Sequence, residues 1–409
     1  VFKELKQISE LTDSRQILKN WYLKYLPDRE VFGENWASRD SSTLFKKHCV
    51  NGNLKHIGFV NRFMFQKEKP ELVNTSFQQF CEEINFTPNI THRMSTHKME
   101  QAYKSVAKYD TKDPPINENS WKLAVAYMER HFWPFMCKSS VLEKDIVLQQ
   151  MDKTTSCGYP WSLKFQNKTE MLKSDSALVI DDYWDNIAQI TDVIMPIWTN
   201  SQKIELRHVD KLAEDNVRTF TASPIEQSVA CNRLCLDMNN KFYASQGKTW
   251  SKVGMSKFNQ GWDILFRSLA KNKQGFALDG SRFDSTIMRR ALWAVCVFRW
   301  KCLCKDDQTP ENWTRLHHVY YAIINSLIVM EDGLLLIKML GNPSGSSNTV
   351  VDNTLILFVY FAYAYIEMCK QNHMCPEYTD FMNWVQAALY GDDNSFTVND
   401  KLIKDFNAN

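Results

Sequence analysis

The stretch Trp384-Val385-Gln386-Ala387-Ala388-Leu389-Tyr390-Gly391-Asp392-Asp393-Asn394-Ser395-Phe396-Thr397-Val398 decides how this chain is read. Two short runs rich in apolar and β-branched residues flank Tyr390-Gly391-Asp392-Asp393, which predicts strand, tight turn and strand. Gly391 supplies the backbone freedom of a hairpin tip, and aspartate is tolerated beside it. Two adjacent carboxylates on an exposed turn repel each other, so the turn calls for positive charge nearby. A hard divalent cation with oxygen ligands answers that need. Mg²⁺ meeting substrate phosphates fits best, with Mn²⁺ as a substitute. A plain solvated hairpin has the same local pattern, so the rest of the chain must decide.

Upstream, "QGFALDGSRFDSTI" at 274–287 reads as a buried strand ending at Asp279, a turn through Gly280 and a helix starting near Asp284. Asp279, at the carboxyl end of a strand, is best explained as a ligand. Asp284, followed by Ser285 and Thr286, has helix capping as its plain explanation. "RRALWAVCVFRWKCL" continues as an amphipathic helix, and "IVMEDGLLLI" at 328–337 as a hairpin turning at Asp332-Gly333. "GNPSGSSNTVVDNTLILFVYFAYAY" at 341–365 is a Gly/Ser loop running into a long helix. Thr349 and Asn353 lie four apart and share a face of it. A buried Asn353 on so apolar a helix needs a polar partner.

Two further stretches carry charge or aromatic rings. In "KIELRHVDKLAEDNVRTFTASPIEQ" at 203–227, Lys203, Arg207 and Lys211 recur every four residues and Arg218 precedes a β-rich run. Four cations on one ribbon can form an electropositive wall for a triphosphate. A solvated helix face paired with Glu205, Asp210 and Glu214 explains the spacing equally well. In "TTSCGYPWSLKF" at 154–165, Gly158 allows close backbone approach, and Tyr159 and Trp161 beside Lys164 could steer a single strand. An ordinary Gly-Pro turn with buried rings is the competing account.

The 409 residues suffice for two or three subdomains, and 44% hydrophobic with 23% charged residues is ordinary globular composition. Net charge is only +2, so any nucleic-acid-binding charge must be gathered in a channel. The eleven cysteines lack metal-binding spacing and read as reduced core thiols of a cytosolic protein. The longest apolar run, "LILFVYFAYAYI" at 355–366, falls short of a membrane span, and no signal peptide is evident. "SWKLAVAYMERHFWPFM" at 120–136 predicts a core-facing helix. The remainder of residues 1–150 yields no chemistry. A P-loop is absent, which argues against a P-loop NTPase.

Asp279 and Asp392, strand-borne carboxylates from separate segments, can jointly hold two metal ions for in-line nucleotidyl transfer. In this order the motifs resemble those of positive-strand RNA virus RNA-dependent RNA polymerases of the picornavirus-like supergroup. "LDGSRFD" matches motif A, "SGSSNTVVDN" the S-G-x₃-T-x₃-N pattern of motif B, and "YGDD" motif C. "TSCGYPW" resembles the template-entry motif and "KIELR…K…R" the fingers motif. "RTFTASPIEQ", "VGMSKFNQGWD" and "GNPSGSSNTVVDNTL" look most like potyvirus-like replicases. The similarity covers roughly residues 150–400.

The resemblance implies an α+β right-hand polymerase, with fingers around a palm of small antiparallel sheet flanked by helices. Fingers would occupy 1–236, palm 237–320, a fingers hairpin 321–341, and palm again 342–409. Asp279, Asp392 and Asp393 would be the catalytic metal ligands. Asp284 and Asn353 would recognise the ribose 2′-hydroxyl, with Ser344, Gly345 and Thr349 supporting the nucleotide. Lys203, Arg207, Lys211 and Arg218 would line the NTP tunnel, and Thr155, Ser156 and Gly158 would guide the template. Reverse transcriptases carry an aromatic ring five residues after the first aspartate. That position here is Asp284, which favours ribonucleotides.

The family places a further palm strand, a primer-grip hairpin and a helical thumb after motif C. Here only sixteen residues (394–409) follow Asp393, so the thumb is expected to be largely missing and synthesis to be poor. Implied partners are RNA template and product, NTPs, a viral protein primer and other replicase proteins. Implied surroundings are host cytoplasmic membranes, reached without a spanning segment of its own. The competing readings are a non-catalytic RNA-binding module with a polymerase-like palm and, further off, a reverse transcriptase.

Overall fold

The structure, a computed structural model, describes residues 10–27, 39–60, 75–87, 91–95 and 97–407. Among the described residues, ten strands form three sheets. The largest joins β1 (Leu54–Phe59), β3 (Ile197–Gln202), β5 (Thr219–Ala222), β7 (Leu327–Val329) and β8 (Leu334–Lys338) in the order β1-β8-β7-β3-β5. Only β3 and β7 run parallel; the other neighbours are antiparallel. The β7–β8 hairpin turns at Asp332-Gly333 as its sequence predicts, closed by Met330 N–H donating to Leu334 O at 2.9 Å. Every residue of both strands is buried, and all but Lys338, the last of β8, are apolar. The segment 321–341 therefore shares a sheet with strands from the N-terminal half. A second sheet pairs β2 (His92–Met94) with β4 (Leu206–His208). The third is antiparallel and small, β6 (Gln274–Phe276), β10 (Asp393–Val398) and β9 (Val385–Tyr390), in the order β6-β10-β9.

Seven helices frame the core and position the site: α1 (Met99–Val106), α2 (Glu118–Met136), α3 (Ile225–Ala244), α4 (Gly261–Leu269), α5 (Arg289–Cys302), α6 (Pro310–Ile324) and α7 (Thr349–Gln371). Helix α2 starts where Asn117 Oδ1 accepts hydrogen bonds from the backbone N–H groups of Asn119 and Ser120. It faces the core, as predicted from its spacing. It packs along α7, which contains neither glycine nor proline and is apolar almost all round. Such a helix is stable only when enclosed. Leu355, Ile356, Phe358 and Ile366 are fully buried, and each contributes about 2 kcal/mol by leaving water. Phe358 stacks on His131 at 4.8 Å, and Phe361 meets Phe396 of β10 edge-on at 5.0 Å. The helix ends as Met374 N–H donates to Cys369 O and His373 N–H to Lys370 O, with His373 left-handed.

Helix α7 corrects one expectation. With 23 residues it is, by length and composition, long and apolar enough to cross a membrane. The apolar run alone had suggested otherwise, because it omits polar residues that belong to the same helix. Its hydrophobicity is taken up inside the protein, where 72% of its most apolar window is buried. All eleven cysteines are free, and seven of them are buried, in keeping with core thiols.

Candidate active site

Strands β9 and β10 pair in register from Val385↔Val398 to Tyr390↔Asp393, so Gly391 and Asp392 alone make the turn. Gly391 takes φ +63 and Asp392 has no positive φ, the pattern of a type II′ hairpin with glycine first. The tip is tied down. Gly391 N–H donates to Thr354 Oγ1 at 2.8 Å, and that hydroxyl donates to Val350 O on α7. Sequence reasoning missed Thr354, although a hydroxyl one residue past Asn353 on an otherwise apolar helix was a readable signal. Leu389, Phe396 and Val398 face the core, while Tyr390, Asp392 and Asp393 are exposed.

The segment carrying Asp279 differs from its predicted form. Strand β6 stops at Phe276 and is exposed, so Asp279 lies beyond a strand end on open chain rather than at the end of a buried strand. All three residues of this short strand pair with β10, from Gln274↔Val398 to Phe276↔Phe396, and pairing ends there. What fixes the next residues is Asn394, which sequence reasoning also missed. Its Nδ2 donates to Leu278 O at 2.8 Å, and its Oδ1 accepts from Leu278 N–H at 3.2 Å. This pair of bonds brings Asp279 beside the turn. Asp279 and Asp393 line one cleft of about 560 Å³ together with Tyr390, Lys252, Lys257 and Trp262.

Asp284 departs from its capping explanation. A single helical turn spans Phe283–Thr286, and its N-cap is Arg282, held left-handed at φ +59. Asp284 therefore lies inside the turn, and its carboxylate is available for tertiary contacts. Asn353 Nδ2 donates to Asp284 Oδ1 at 2.5 Å, and Asn353 Oδ1 accepts from Asn342 Nδ2 at 2.9 Å. Backbone bonds reinforce the arrangement, with Asn342 N–H donating to Asp284 O at 2.7 Å. The polar partner that a buried Asn353 required is thus Asp284 together with Asn342. Burial raises the Asp284 pKa, opposed by the Asn353 hydrogen bond; Asp392 raises it further, and Lys203 and Arg218 pull it down. Asp392, Lys203 and Arg218, from other segments of the chain, therefore all act on Asp284.

The loop before α7 is bound by its own hydroxyls. Thr349 Oγ1 donates to Pro343 O and Ser346 O, and Ser344 Oγ accepts from Thr221 N–H at 3.4 Å. Gly345 N–H donates to Thr221 O at 2.8 Å. These groups hold the loop against β5.

The basic ribbon is not one helix face. Lys203 precedes β4, Arg207 lies within it, Lys211 is exposed on a short helix (Val209–Ala213), and Arg218 precedes β5. Lys203 N–H donates to Arg218 O at 2.8 Å, which brings these two together across the ribbon. Arg207 donates to Asn216 O at 2.9 Å and sits 3.7 Å from Glu205, so one of the suggested neutralising pairs is present. Lys108, from the third of the chain that yielded no chemistry, joins this group. Burial lowers its pKa, and the charges of Arg282, Arg207, Arg218 and Lys104 lower it further. Tyr109 beside it is buried and donates to Asn342 O at 3.4 Å.

In the 154–165 stretch the account with buried rings is the one observed. Tyr159 and Trp161 are fully buried, and Trp161 Nε1 donates to Glu226 at 2.7 Å, so neither ring can stack on a strand of nucleic acid. Gly158 is buried at φ +81, and a Cβ there would lie 2.6 Å from Pro224 Cα. Its close approach is to the protein's own backbone at the start of α3. Thr155 and Ser156 remain exposed, with Lys168 donating to the Thr155 hydroxyl.

Among the described residues no group of three His, Cys, Asp or Glu side chains is gathered to hold a metal ion. The donors nevertheless fit Mg²⁺ in kind. Asp279 and Asp393 share a cleft, Asp392 is exposed at its turn, and all offer hard oxygens. Mg²⁺ commonly takes one or two carboxylates and completes its shell with substrate phosphates and water.

A family profile described as viral RNA-dependent RNA polymerase matches residues 81–408. The chain belongs to that family. Relatives of this polymerase-family chain include the genome polyprotein of Sweet potato mild mottle virus (isolate Salazar), 32% identical over 329 residues. That match covers 77% of this chain and 9% of the polyprotein. Genome polyprotein 1 of Barley mild mosaic virus (strain Na1) is 33% identical over 391 residues, covering 90% of this chain and 16% of the polyprotein. The chain thus spans a small part of the curated relatives it matches. Its fold is similar to that of a Sicinivirus 3Dpol RNA dependent RNA polymerase, with TM-score 0.62 and 20% identity over 76% of this chain and 66% of the other. The α+β polymerase fold expected from the motifs is the fold observed.

Proposed function

We propose that this chain carries out template-directed transfer of ribonucleotides from NTPs to an RNA 3′ end, for viral genome replication and transcription. The observation that carries the reading is the meeting of two unlike carboxylate sites. An exposed turn with Asp392 and Asp393 lies beside Asp279, and Asp284, which feels the charge of Asp392, is held by Asn353. Asp279, Asp392 and Asp393 would hold Mg²⁺, which when bound lowers the pKa of the attacking 3′-hydroxyl and neutralises the triphosphate and leaving pyrophosphate. Asn353 occupies Oδ1 of Asp284, which leaves Oδ2 to accept a ribose 2′-hydroxyl. A deoxynucleotide leaves Oδ2 of that half-buried carboxylate without this partner, which is the physical basis of selection against it. Lys203, Arg207 and Arg218, joined by Lys108, Lys104 and Arg282, meet the triphosphate, and Lys211 adds exposed charge to the same ribbon. Thr155 and Ser156 contact the template, with Gly158 shaping their loop from beneath. Ser344, Gly345 and Thr349 hold the loop on which the nucleotide rests. Since α7 is enclosed, we assign any membrane association to partner proteins of the replicase.

Single-nucleotide addition to a primer on an RNA template, with Mg²⁺ and rNTPs, tests this directly. The expected result is metal-dependent addition that Asp392→Ala abolishes. RNA binding without addition in the unsubstituted chain would overturn the catalytic reading in favour of a binding module.

A further inference from the structure

Three consecutive residues at the start of α7 point in three directions, because each step along a helix turns by about 100°. Asn353 reaches Asp284, and Thr354 receives the N–H of Gly391. Asp352 turns the opposite way, into the protein. There its Oδ1 accepts from Arg299 Nε at 3.0 Å and Nη2 at 2.7 Å, and its Oδ2 accepts from Tyr320 Oη at 2.8 Å. Arg299, on α5, and Tyr320, on α6, are both fully buried, as is Asp352. Arg299 Nη1 lacks a hydrogen-bond partner among the described residues.

This arrangement makes little sense as a source of stability. Removing two charges from water costs several kcal/mol, and apolar replacements of buried ion pairs are often neutral or stabilising. The unpartnered Nη1 adds to that cost. What the ion pair supplies is direction. Three hydrogen bonds to both oxygens of one short side chain fix the rotation of the helix about its axis. Apolar packing alone tolerates rearrangement when volume is kept. At the neighbouring turn Asn348, the N-cap of α7, accepts from Asn239 of α3 at 2.9 Å, a second buried polar tie on the same helix end.

We propose that Arg299, Asp352 and Tyr320 form a positioning unit that sets the rotation of α7 and so holds Asn353 on Asp284 for ribose recognition. The ribose part rests on the function proposed above; the geometric part does not. None of the three residues touches the nucleotide.

The test replaces the ion pair with apolar groups, Arg299→Met with Asp352→Val, and reads two quantities. The first is the ratio of dissociation constants for dATP and ATP in Mg²⁺, measured by calorimetry. The second is the Asn353 Nδ2–Asp284 Oδ1 distance in a crystal structure, 2.5 Å here. The proposal expects a folded protein whose Tm is lowered only by the buried Tyr320 hydroxyl left without its acceptor. Its preference for ATP should fall by about tenfold, the worth of one hydrogen bond to a charged group, and the distance should open beyond about 3.5 Å. A folded double variant with both ratio and distance unchanged overturns it. Should the double variant fail to fold, Tyr320→Phe removes only one hydroxyl and carries the same test. A fall of about threefold in the preference supports the unit, and no change overturns it. If the parent chain itself fails to distinguish ATP from dATP, the ribose reading falls, and the crystallographic distance still decides whether the unit sets the helix.

Discussion

The two carboxylate sites are built on opposite terms. Asp392 and Asp393 stand exposed on a two-residue turn, and Asp279 follows on open chain held by Asn394. Asp284 instead lies under Asn353 and Asn342, with backbone and side chain both bound. The first site leaves oxygens available at little cost to the fold's stability. The second is assembled in advance and carries a desolvation cost, seen in the raised pKa of Asp284. A metal site that shares ligands with substrate phosphates can wait for them. A group that must distinguish one hydroxyl cannot, because discrimination needs a polar partner already in place.

The contrast is sharpest in Asp279→Ala. Nucleotide addition is expected to fall about a thousandfold, the scale seen when a group stabilising transition-state charge is removed. Stability should move by no more than about 0.5 kcal/mol, as for other exposed positions. Primer extension and urea unfolding on the same preparation read both. A large loss of stability would break the contrast from the exposed side.

Asn353→Ala should behave in the opposite sense. It leaves Asp284 Oδ1 and Asn342 Nδ2 without their partner, at a cost of about 1–3 kcal/mol. Preference for ATP over dATP should fall about tenfold while addition itself persists. Unfolding curves and competitive incorporation decide this, and unchanged stability would show that the pair is not the buried unit described.

The smallest effect concerns pH. A carboxyl whose pKa is raised by folding favours the folded state while protonated. Its contribution is fully present below the unfolded value of 3.8 and is lost as pH rises through the folded value. Asp284→Asn should therefore have a higher Tm than the parent at pH 7, with the advantage shrinking toward zero below about pH 4. Thermal melts across pH 3–8 would show it. An advantage that persists in acid would place its cause in something other than the titration of Asp284.

The hairpin at Gly391, the apolar helix after Thr349 and the order of the polymerase motifs were legible because each rests on local rules. A positive φ needs glycine, an unbroken apolar stretch makes a buried helix, and motif spacing is read along the chain. The same local rules failed where a residue's partner is distant in sequence. Asp284 looked like a cap because Ser285 and Thr286 follow it, yet its partner is 69 positions away. For Tyr159 and Trp161 the local sequence allowed either buried rings in a turn or a stacking platform. Only the fold, which encloses them with Trp161 donating to Glu226 of α3, decides for the first. Lys108 joined the cationic group, and Asn394 and Thr354 joined the Gly391-Asp392 turn, through folding alone. Sequence determined which residues are suited to metal, phosphate and ribose; burial and the rotation of α7 decided which of them meet, because desolvation and hydrogen-bond direction exist only once the chain has closed on itself.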